Sequence, residues 1–467
     1  MEEAMIYDAE KRNVTMAITG ESLISRQMKV FKEKEFLALR DIIVSADVSF
    51  TNAEMLFHNY EDSPTTIPGG TYMRCDPRYI EDLQWLGFDL VACANNHAWD
   101  FGENGVLTNI KNLDKYGLAH AGTGSNLASA SAPTYLDTNA GRVALISATT
   151  SGPPGGRAGD QRRDVIGRPG PNYIRWTTEW NVDEEMIKAL KLVADKFGWT
   201  EIMKDRAQKG DEFGDNSAKL PAPSEDLVYF LDHASYQDEV YSKFVKGNSV
   251  QKSTHINESD LKRNVERVSD AKRMGDWVLF TVHNHEGGAT INEPSDHIKV
   301  LAHAVIDAGA DMFIGHGPHQ DRGIEIYKGK PIFYSLGDFI LQNDTVELMP
   351  HDNMIRQNLS WEGTPADFYD ARDGSAYATD KIAKRGQTIE PIRWESAVAT
   401  VQFEKGEMTK LELLPIDLGY GKERSQRGRP VLASGQVSKQ VLERFQLLSE
   451  PFGTKITIDG DKGIINL

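Results

Sequence analysis

The sequence predicts an α/β fold of layered sheets, and three observations predict it. Short apolar runs bounded by polar turns alternate with stretches of helical period, the strand–turn–helix order of α/β layers. Two runs, 278–282 and 312–315, are continuously apolar, as strands buried on both faces are. Several runs end abruptly in histidine, asparagine or carboxylate residues. Strand ends are where α/β folds place chemistry, because side chains there converge on one rim.

The elements follow in order. Residues 14–19 (VTMAIT) read as a first buried strand that ends at Gly20-Glu21, where a carboxylate is placed to hold a cation. Residues 32–44 form an amphipathic helix. A second strand, 46–51, is followed by Asn52 and Glu54, then by a polar glycine-containing loop and a helix over 77–86. The third strand, 89–94 (DLVACA), runs into Asn95, Asn96, His97, Ala98, Trp99 and Asp100. There Asn96 can offer a carbonyl oxygen to a metal, His97 can donate a proton to a leaving group, and Asp100 can hold the tautomer of His97. A polar helix cap uses the same residue types. A helix over 102–116 and a strand pair within 132–148 complete residues 1–150, read as the first half of the main domain.

Residues 151–274 differ in composition. The stretch 151–171 is rich in Gly, Pro and Arg and reads as a long loop. Its Arg157, Arg162, Arg163 and Arg168 are local positive charge, and a guanidinium pairs bidentately with carboxylate or phosphate. Arg168, stiffened by Pro169 and Pro171, Arg163 and the Asn95 amide are therefore the residues expected to hold an anionic substrate; a solvated loop would carry the same arginines. Apolar residues at helical spacing (Met186, Leu190, Val193, Phe197; then Leu261, Val265, Val268, Ala271) and a mixed pattern over 225–245 read as helices. The region 151–274 is thus expected to be a loop and helical insertion that caps the site.

Residues 275–467, the second half of the main domain, carry the most informative stretch. It reads GDWVLFTVHNHEGG, then FIGHGPHQDRGIEIYKGKPIFYSLGDF. His283 and His285 follow one apolar run and His316 and His319 the other. Neutral imidazole is the commonest ligand for borderline metals. One such histidine could cap a loop; four at two strand ends point to metal binding or catalysis. Ser295 caps a helix with Ile298, Leu301, Val305 and Ile306 on its apolar side, and Gly309 ends it. Residues 323–327 and 331–335 form a hairpin across Lys328-Gly329-Lys330, and Gly337-Asp338-Phe339 follow. The stretch 343–386 is polar and irregular, with Trp361, Phe368 and Tyr369 set to line a pocket rim. Residues 396–403 and 408–414 form another hairpin, and 438–448 a final helix.

The chain has 467 residues and a formal net charge of -17, with no basic stripe, so nucleic acid is excluded as the main partner. Cys75 and Cys93 form no CxxC pair and no disulfide framework, and Cys93 lies in an apolar run as a core residue does. The N-terminus lacks an apolar signal core, and no segment reaches 18 continuous apolar residues. The expectation is a cytoplasmic protein without a membrane segment, binding an anionic small molecule or peptide, with homo-oligomerisation left open.

Taken together, GES after the first strand, NAE after the second, ANNHAWDFGENG after the third, then VHNHEGG, GHGPH and YSLGDF, come in a characteristic order. The chain resembles the CapA family, the poly-γ-glutamate capsule proteins, over most of 14–150 and again over 277–338. That resemblance implies a calcineurin-like metallophosphatase sandwich of two mixed β-sheets flanked by helices. It implies metal ions at the strand ends; one or two divalent ions are expected, and mixed N/O ligands suit Mn, Zn or Fe. Glu21, Glu54, Asn96, His283, His316 and His319 match metal-site positions, and His97 matches the acid beside the metal. Four departures stand out. Glu21 replaces the usual Asp, which moves the carboxylate by roughly 1.5 Å, one carbon–carbon bond. Leu23 stands where the superfamily has His, His285-Glu286 follow where the family has Trp, and Asp338 replaces Asn. These departures make a single ion credible beside the two-ion arrangement.

The expected activity is metal-dependent hydrolysis of a phosphoester or of a γ-glutamyl or peptide amide, by activated water with His97 as general acid oriented by Asp100. Two rivals remain. One is a metal-dependent peptide epimerase that exchanges the Cα proton between Glu21 and His285. The other is a non-catalytic subunit of capsule-polymer biosynthesis.

Overall fold

The first strand, Val14–Leu23, is buried on both faces, and its alternating side chains set the layers. Met16 and Ile18 enter an apolar layer shared with Val143, Leu145, Trp277, Leu279, Met312 and Ile314. Ala17, between them, faces the opposite layer with Phe36, Leu39 and Ile43 of the helix Lys34–Ser45. One strand thus packs a second sheet on one face and a helix on the other. The computed structural model describes residues 13–209, 220–231, 241–373 and 390–465.

Two mixed sheets form the sandwich. The larger has 10 strands; at its centre Val14–Leu23 runs parallel to Val48–Ala53 and to Asp338–Leu341 and antiparallel to Glu395–Glu404. The smaller has 6 strands, with Trp277–His283 parallel to both Gly141–Thr149 and Met312–His316. The expected metallophosphatase-like sandwich is therefore the architecture observed. Both expected hairpins form. Ile324–Tyr327 and Lys330–Phe333 turn at Lys328-Gly329, where φ is +50° and +74°. A two-residue turn with both central φ positive matches the twist of its strands, and Gly329 meets it without strain.

The chain divides into two compact units: Met1–Tyr173 with Lys262–His285 and Ala302–Leu467, and Ile174–Leu261 with Glu286–Leu301. The first holds the sandwich and all of the long loop that ends at Tyr173. The second corrects the helical expectation. The helices Glu184–Lys196 and Trp199–Lys209 are present, but so is a 4-stranded sheet of Trp176–Val182, Leu227–Leu231, Tyr241–Lys246 and Gln251–Ile256. Over 225–245 the helix gives way to two antiparallel strands; residues 232–240 lie outside the described set. The reason is composition: LVYFL and YSKFVK carry the aromatic and β-branched side chains that fit a pleated surface, and Phe230 meets Phe244 across the pair at 5.2 Å.

The irregular reading of 343–386 is corrected where it is described. His351–Arg356 and Pro365–Asp373 are helices, Phe368 and Tyr369 are buried in the helix-side core, and Trp361 is exposed. Residues 374–386 lie outside the described set. No helix among the described residues is long and apolar enough to cross a membrane.

Candidate metal centre

Strand register brings two rows of polar side chains to one edge of the sandwich. In the larger sheet Glu21 lies in register with Asn52 on one side and Asp338 on the other. In the smaller, His283 lies between His316 and Thr149. The loops that leave these strands add Glu54, Asn95, Asn96, His97, His285 and His319.

Local backbone explains why these loops pass so close. Glu21 donates its backbone N–H to the Gly337 carbonyl at 3.1 Å, and a Cβ on Gly20 would fall 1.7 Å from that oxygen, so only glycine fits before Glu21. Gly317, at φ +123°, turns the chain after His316, and His319 itself sits at φ +53°. A non-glycine residue held there stores about 1–3 kcal/mol of strain, a feature that clusters at functional sites. Asn95 caps the short 3-10 turn Asn96–Trp99, its Oδ1 accepting from the His97 N–H at 3.1 Å. Gly69 lies against the Asn96 backbone and Gly70 against the His97 ring.

Hydrogen bonds assign the protons. Asp100 accepts backbone N–H groups of Gly69 and Met73, each at 2.8 Å, and the His97 Nδ1–H at 2.7 Å. His97 therefore presents Nε2 to the centre. The Thr281 hydroxyl donates to the Ile314 carbonyl at 2.9 Å, so its oxygen accepts from His316 Nε2 at 2.7 Å and His316 keeps its lone pair on Nδ1. His319 Nδ1 is 2.9 Å from both Asp338 Oδ1 and Glu21 Oε2. His283 Nδ1 is 2.9 Å from Glu21 Oε1 and 3.1 Å from His316 Nδ1, while its Nε2 is 2.9 Å from His285 Nε2.

Glu54 tests whether these residues suit a cation. It is fully buried, and neither carboxylate oxygen has a hydrogen-bond partner. The Nε2 atoms of His97, His283 and His319 stand 3.8, 3.8 and 3.7 Å from its Oε1. That is beyond hydrogen-bond range. It is near the separation, about 3.0–3.5 Å, of two atoms that each ligate one ion at about 2.1 Å. Among the described residues no lysine or arginine forms an ion pair with Glu21, Glu54 or Asp338; their partners are imidazoles. Three groups have the ligand spacing: Glu21, His283 and His316; Glu54, His283 and His285; Glu21, His319 and Asp338. A divalent ion fits this donor set.

The electrostatics agree. Burial, then the Glu21 carboxylate, push the Glu54 carboxyl well above the usual range. Burial also raises Glu21, but the His319 and His283 imidazoles, with hydrogen bonds from His283 and His316, outweigh it and hold Glu21 well below. Burial brings His283 down to about 4 and His285 well below the usual imidazole value, which leaves both neutral, the form in which an imidazole can ligate a metal. Burial raises Asp338 to about 6, against the opposing pull of His319.

Of the residues singled out in the sequence, Glu21, Glu54, His97, Asp100, His283, His285, His316 and His319 come together. Asn96 lies beside them, with Nδ2 on the Gly69 carbonyl and Oδ1 buried without a hydrogen bond. Asn95 lies there too, but its Nδ2 is used by the Ala53 carbonyl at 2.9 Å and its Oδ1 by the cap. Arg163 and Arg168 are exposed on the long loop, with Arg168 Nε on the Arg157 carbonyl, and neither pairs with a residue of the cluster. Three contributors lie outside the ligand, catalytic and substrate-binding residues expected from the sequence, although Asp338 stands out there as a departure from the family pattern. Asp338 repeats the glycine–carboxylate strand end of Gly20-Glu21, a signal present in the chain itself. Thr281 looks like any β-branched strand residue, and Ser151, which accepts the His285 N–H at 2.8 Å, like any loop serine.

The family model described as bacterial capsule synthesis protein PGA_cap matches residues 15–343. Two proteins of Sinorhizobium fredii, y4sH and y4uA, are each 34% identical over 463 residues, covering 97% of this chain and 93% of their own. The PGA biosynthesis protein CapA of Bacillus subtilis is 35% identical over 135 residues, 27% of this chain and 34% of its own. A probable polyglutamine synthesis accessory protein of Mycobacterium tuberculosis is 44% identical over 69 residues, 15% of this chain and 18% of its own. The matched span runs from the first strand to just past Asp338 and so encloses every residue of the cluster: the chain belongs to the bacterial capsule synthesis protein PGA_cap family.

Proposed function

We propose that the protein is a metal-dependent hydrolase of an anionic substrate, cleaving a phosphoester or a γ-glutamyl or peptide amide, with His97 as the proton donor. The observation that carries this reading is Glu54, a buried carboxylate without a hydrogen bond, faced by three imidazole Nε2 atoms at 3.7–3.8 Å. The ion would be held by one of the three groups of carboxylates and histidines described above. A bound divalent ion lowers the pKa of water toward about 7 and polarises a carbonyl or phosphoryl oxygen.

The chain's own residues supply the rest. Asp100 is held by two backbone N–H groups, so it fixes the His97 ring and its tautomer. His97 Nε2 is thereby free to hold a proton for a leaving atom. Epimerisation by Glu21 and His285 is less well supported: Glu21 is buried, with His283 against one oxygen and His319 against the other, so it is poorly placed to trade a proton with substrate.

The test is metal analysis of the purified protein, then a screen of phosphoesters and γ-glutamyl peptides. His97→Ala should retain the metal and lose about 10²–10⁴-fold in turnover, the usual worth of a positioned acid. Solvent deuterium entering Cα without bond cleavage would instead support the epimerase. Full capsule-linked function in both His97→Ala and His316→Ala would support a non-catalytic subunit.

A further inference from the structure

We infer that the centre takes one divalent cation per chain, seated on Glu54, His283 and His285, and that Glu21 is a positioning residue acting through His283 rather than a ligand. The inference rests on the metal-dependent reading above and goes on to place and count the ion.

The argument turns on one imidazole. His283 belongs to two of the ligand groups, but through opposite nitrogens: Nδ1 toward Glu21 and His316, Nε2 toward Glu54 and His285. A neutral imidazole has one lone pair. Only a bridging imidazolate could serve both groups, so an ion in one seat excludes an ion in the other.

The neighbours decide which seat is used. Thr281 fixes the proton of His316 on Nε2, so His316 Nδ1 is an acceptor. His283 Nδ1 thus faces two close acceptors, that atom at 3.1 Å and Glu21 Oε1 at 2.9 Å, with the Asn52 Nδ2 donor farther off at 3.5 Å. A proton on His283 Nδ1 satisfies both and leaves its lone pair on Nε2, facing His285 and Glu54. Glu21 then does what outer carboxylates do for metal-bound histidine: it fixes the tautomer and raises the basicity of the donor nitrogen. The third group, Glu21, His319 and Asp338, is closed in the same way: His319 Nδ1 stands 2.9 Å from both carboxylates, a proton there serves both in place of an ion, and His319 Nε2 also faces Glu54.

The opposite seat serves the molecule less well. An ion between Glu21, His283 Nδ1 and His316 Nδ1 would turn the His283 N–H toward His285. Glu54, fully buried, would still lack a partner for either oxygen. His285, whose Nε2 stands 2.9 Å from His283 Nε2, favours the Glu54 seat.

The experiment uses the full chain stripped by chelator and reloaded with Co(II), read by metal analysis and by visible absorption, without any substrate. One cobalt per chain is expected. Glu21→Gln keeps an acceptor for His283 Nδ1–H, so its cobalt bands should be unchanged and its affinity lowered by about 10-fold or less, the low end for outer partners. His285→Ala and His285→Gln should each shift the bands and weaken binding more than Glu21→Gln does. Circular dichroism melts confirm that each variant is folded. Two cobalts per chain would overturn the inference while leaving metal-dependent hydrolysis intact. So would bands that move in Glu21→Gln and stay in both His285 variants. Absence of binding by Co(II), Mn(II) and Zn(II) would overturn both readings.

Discussion

Two groups of buried carboxylates in the sandwich unit solve the same problem differently. Asp321 and Asp344 are fully buried and each meets guanidinium: Arg444 Nε donates to Asp321 at 2.8 Å and also contacts Glu395, while Arg427 Nε donates to Asp344 at 2.8 Å. Glu21, Glu54 and Asp338 are buried as deeply and meet imidazoles. A guanidinium is a permanent cation that pulls a structural carboxylate toward its charged form, here against a burial that still raises Asp321 to about 7. An imidazole carries a lone pair, so it shares its carboxylate with a proton or a metal. On the reading proposed above, the difference separates charges that hold the fold from charges that hold a ligand.

The largest effect should come from breaking the guanidinium side. Arg444→Ala leaves Asp321 buried without its cation and should cost about 3–5 kcal/mol in urea unfolding, with metal content unchanged. Replacing both partners, Asp321→Leu with Arg444→Met, should recover most of the loss. Metal loss in Arg444→Ala would blur the two groups into one.

The imidazole side should respond to metal instead. Reloading the stripped protein at about 100–1,000 times the dissociation constant should stabilise it by about 2.7–4.1 kcal/mol, read as a rise in calorimetric melting temperature. Glu54→Gln should lose most of that rise, and Arg444→Ala should keep it. An equal rise in Glu54→Gln would remove Glu54 from the centre.

A third buried group uses neither solution. His58 packs at 4.3 Å from Phe101, and burial, the largest cause, brings its pKa down to about 4. The unfolded value is about 6.5, so the folded chain binds fewer protons between these values. The stabilisation is therefore complete above about pH 6.5 and is lost as pH falls toward 4, by up to about 3 kcal/mol. His58→Phe should flatten that acid slope in unfolding measured across the window, with or without metal. An unchanged slope would mean that another group titrates there.

Much of the sandwich is legible because its strands are short, apolar and punctuated. Helix 102–116 and the hairpin turn at Lys328-Gly329 follow from periodicity and turn chemistry alone. The second unit is less legible, because 225–245 mixes apolar and polar residues that suit either period, and pairing partners far along the chain settle it as strands. At the centre, residue types at strand ends mark Glu21, Glu54, His97 and the four histidines. Asp338 carries the same mark, a carboxylate after glycine, in a less conspicuous setting. The arginines of the long loop stand out by charge, and charge says nothing of where a loop points.

The amino-acid order alone determined which side chains could ligate and that they would sit at strand ends, since periodicity and abrupt polar termini are local properties. It could not determine which nitrogen of His283 faces Glu54, that Thr281 would orient His316, or that Glu21 would stand behind the histidines. Those depend on register between strands far apart in the chain, such as Glu21 with Asp338, and on hydrogen bonds that exist only after the two sheets have packed. Donor chemistry is carried by the residue; its direction is set by neighbours that only folding supplies.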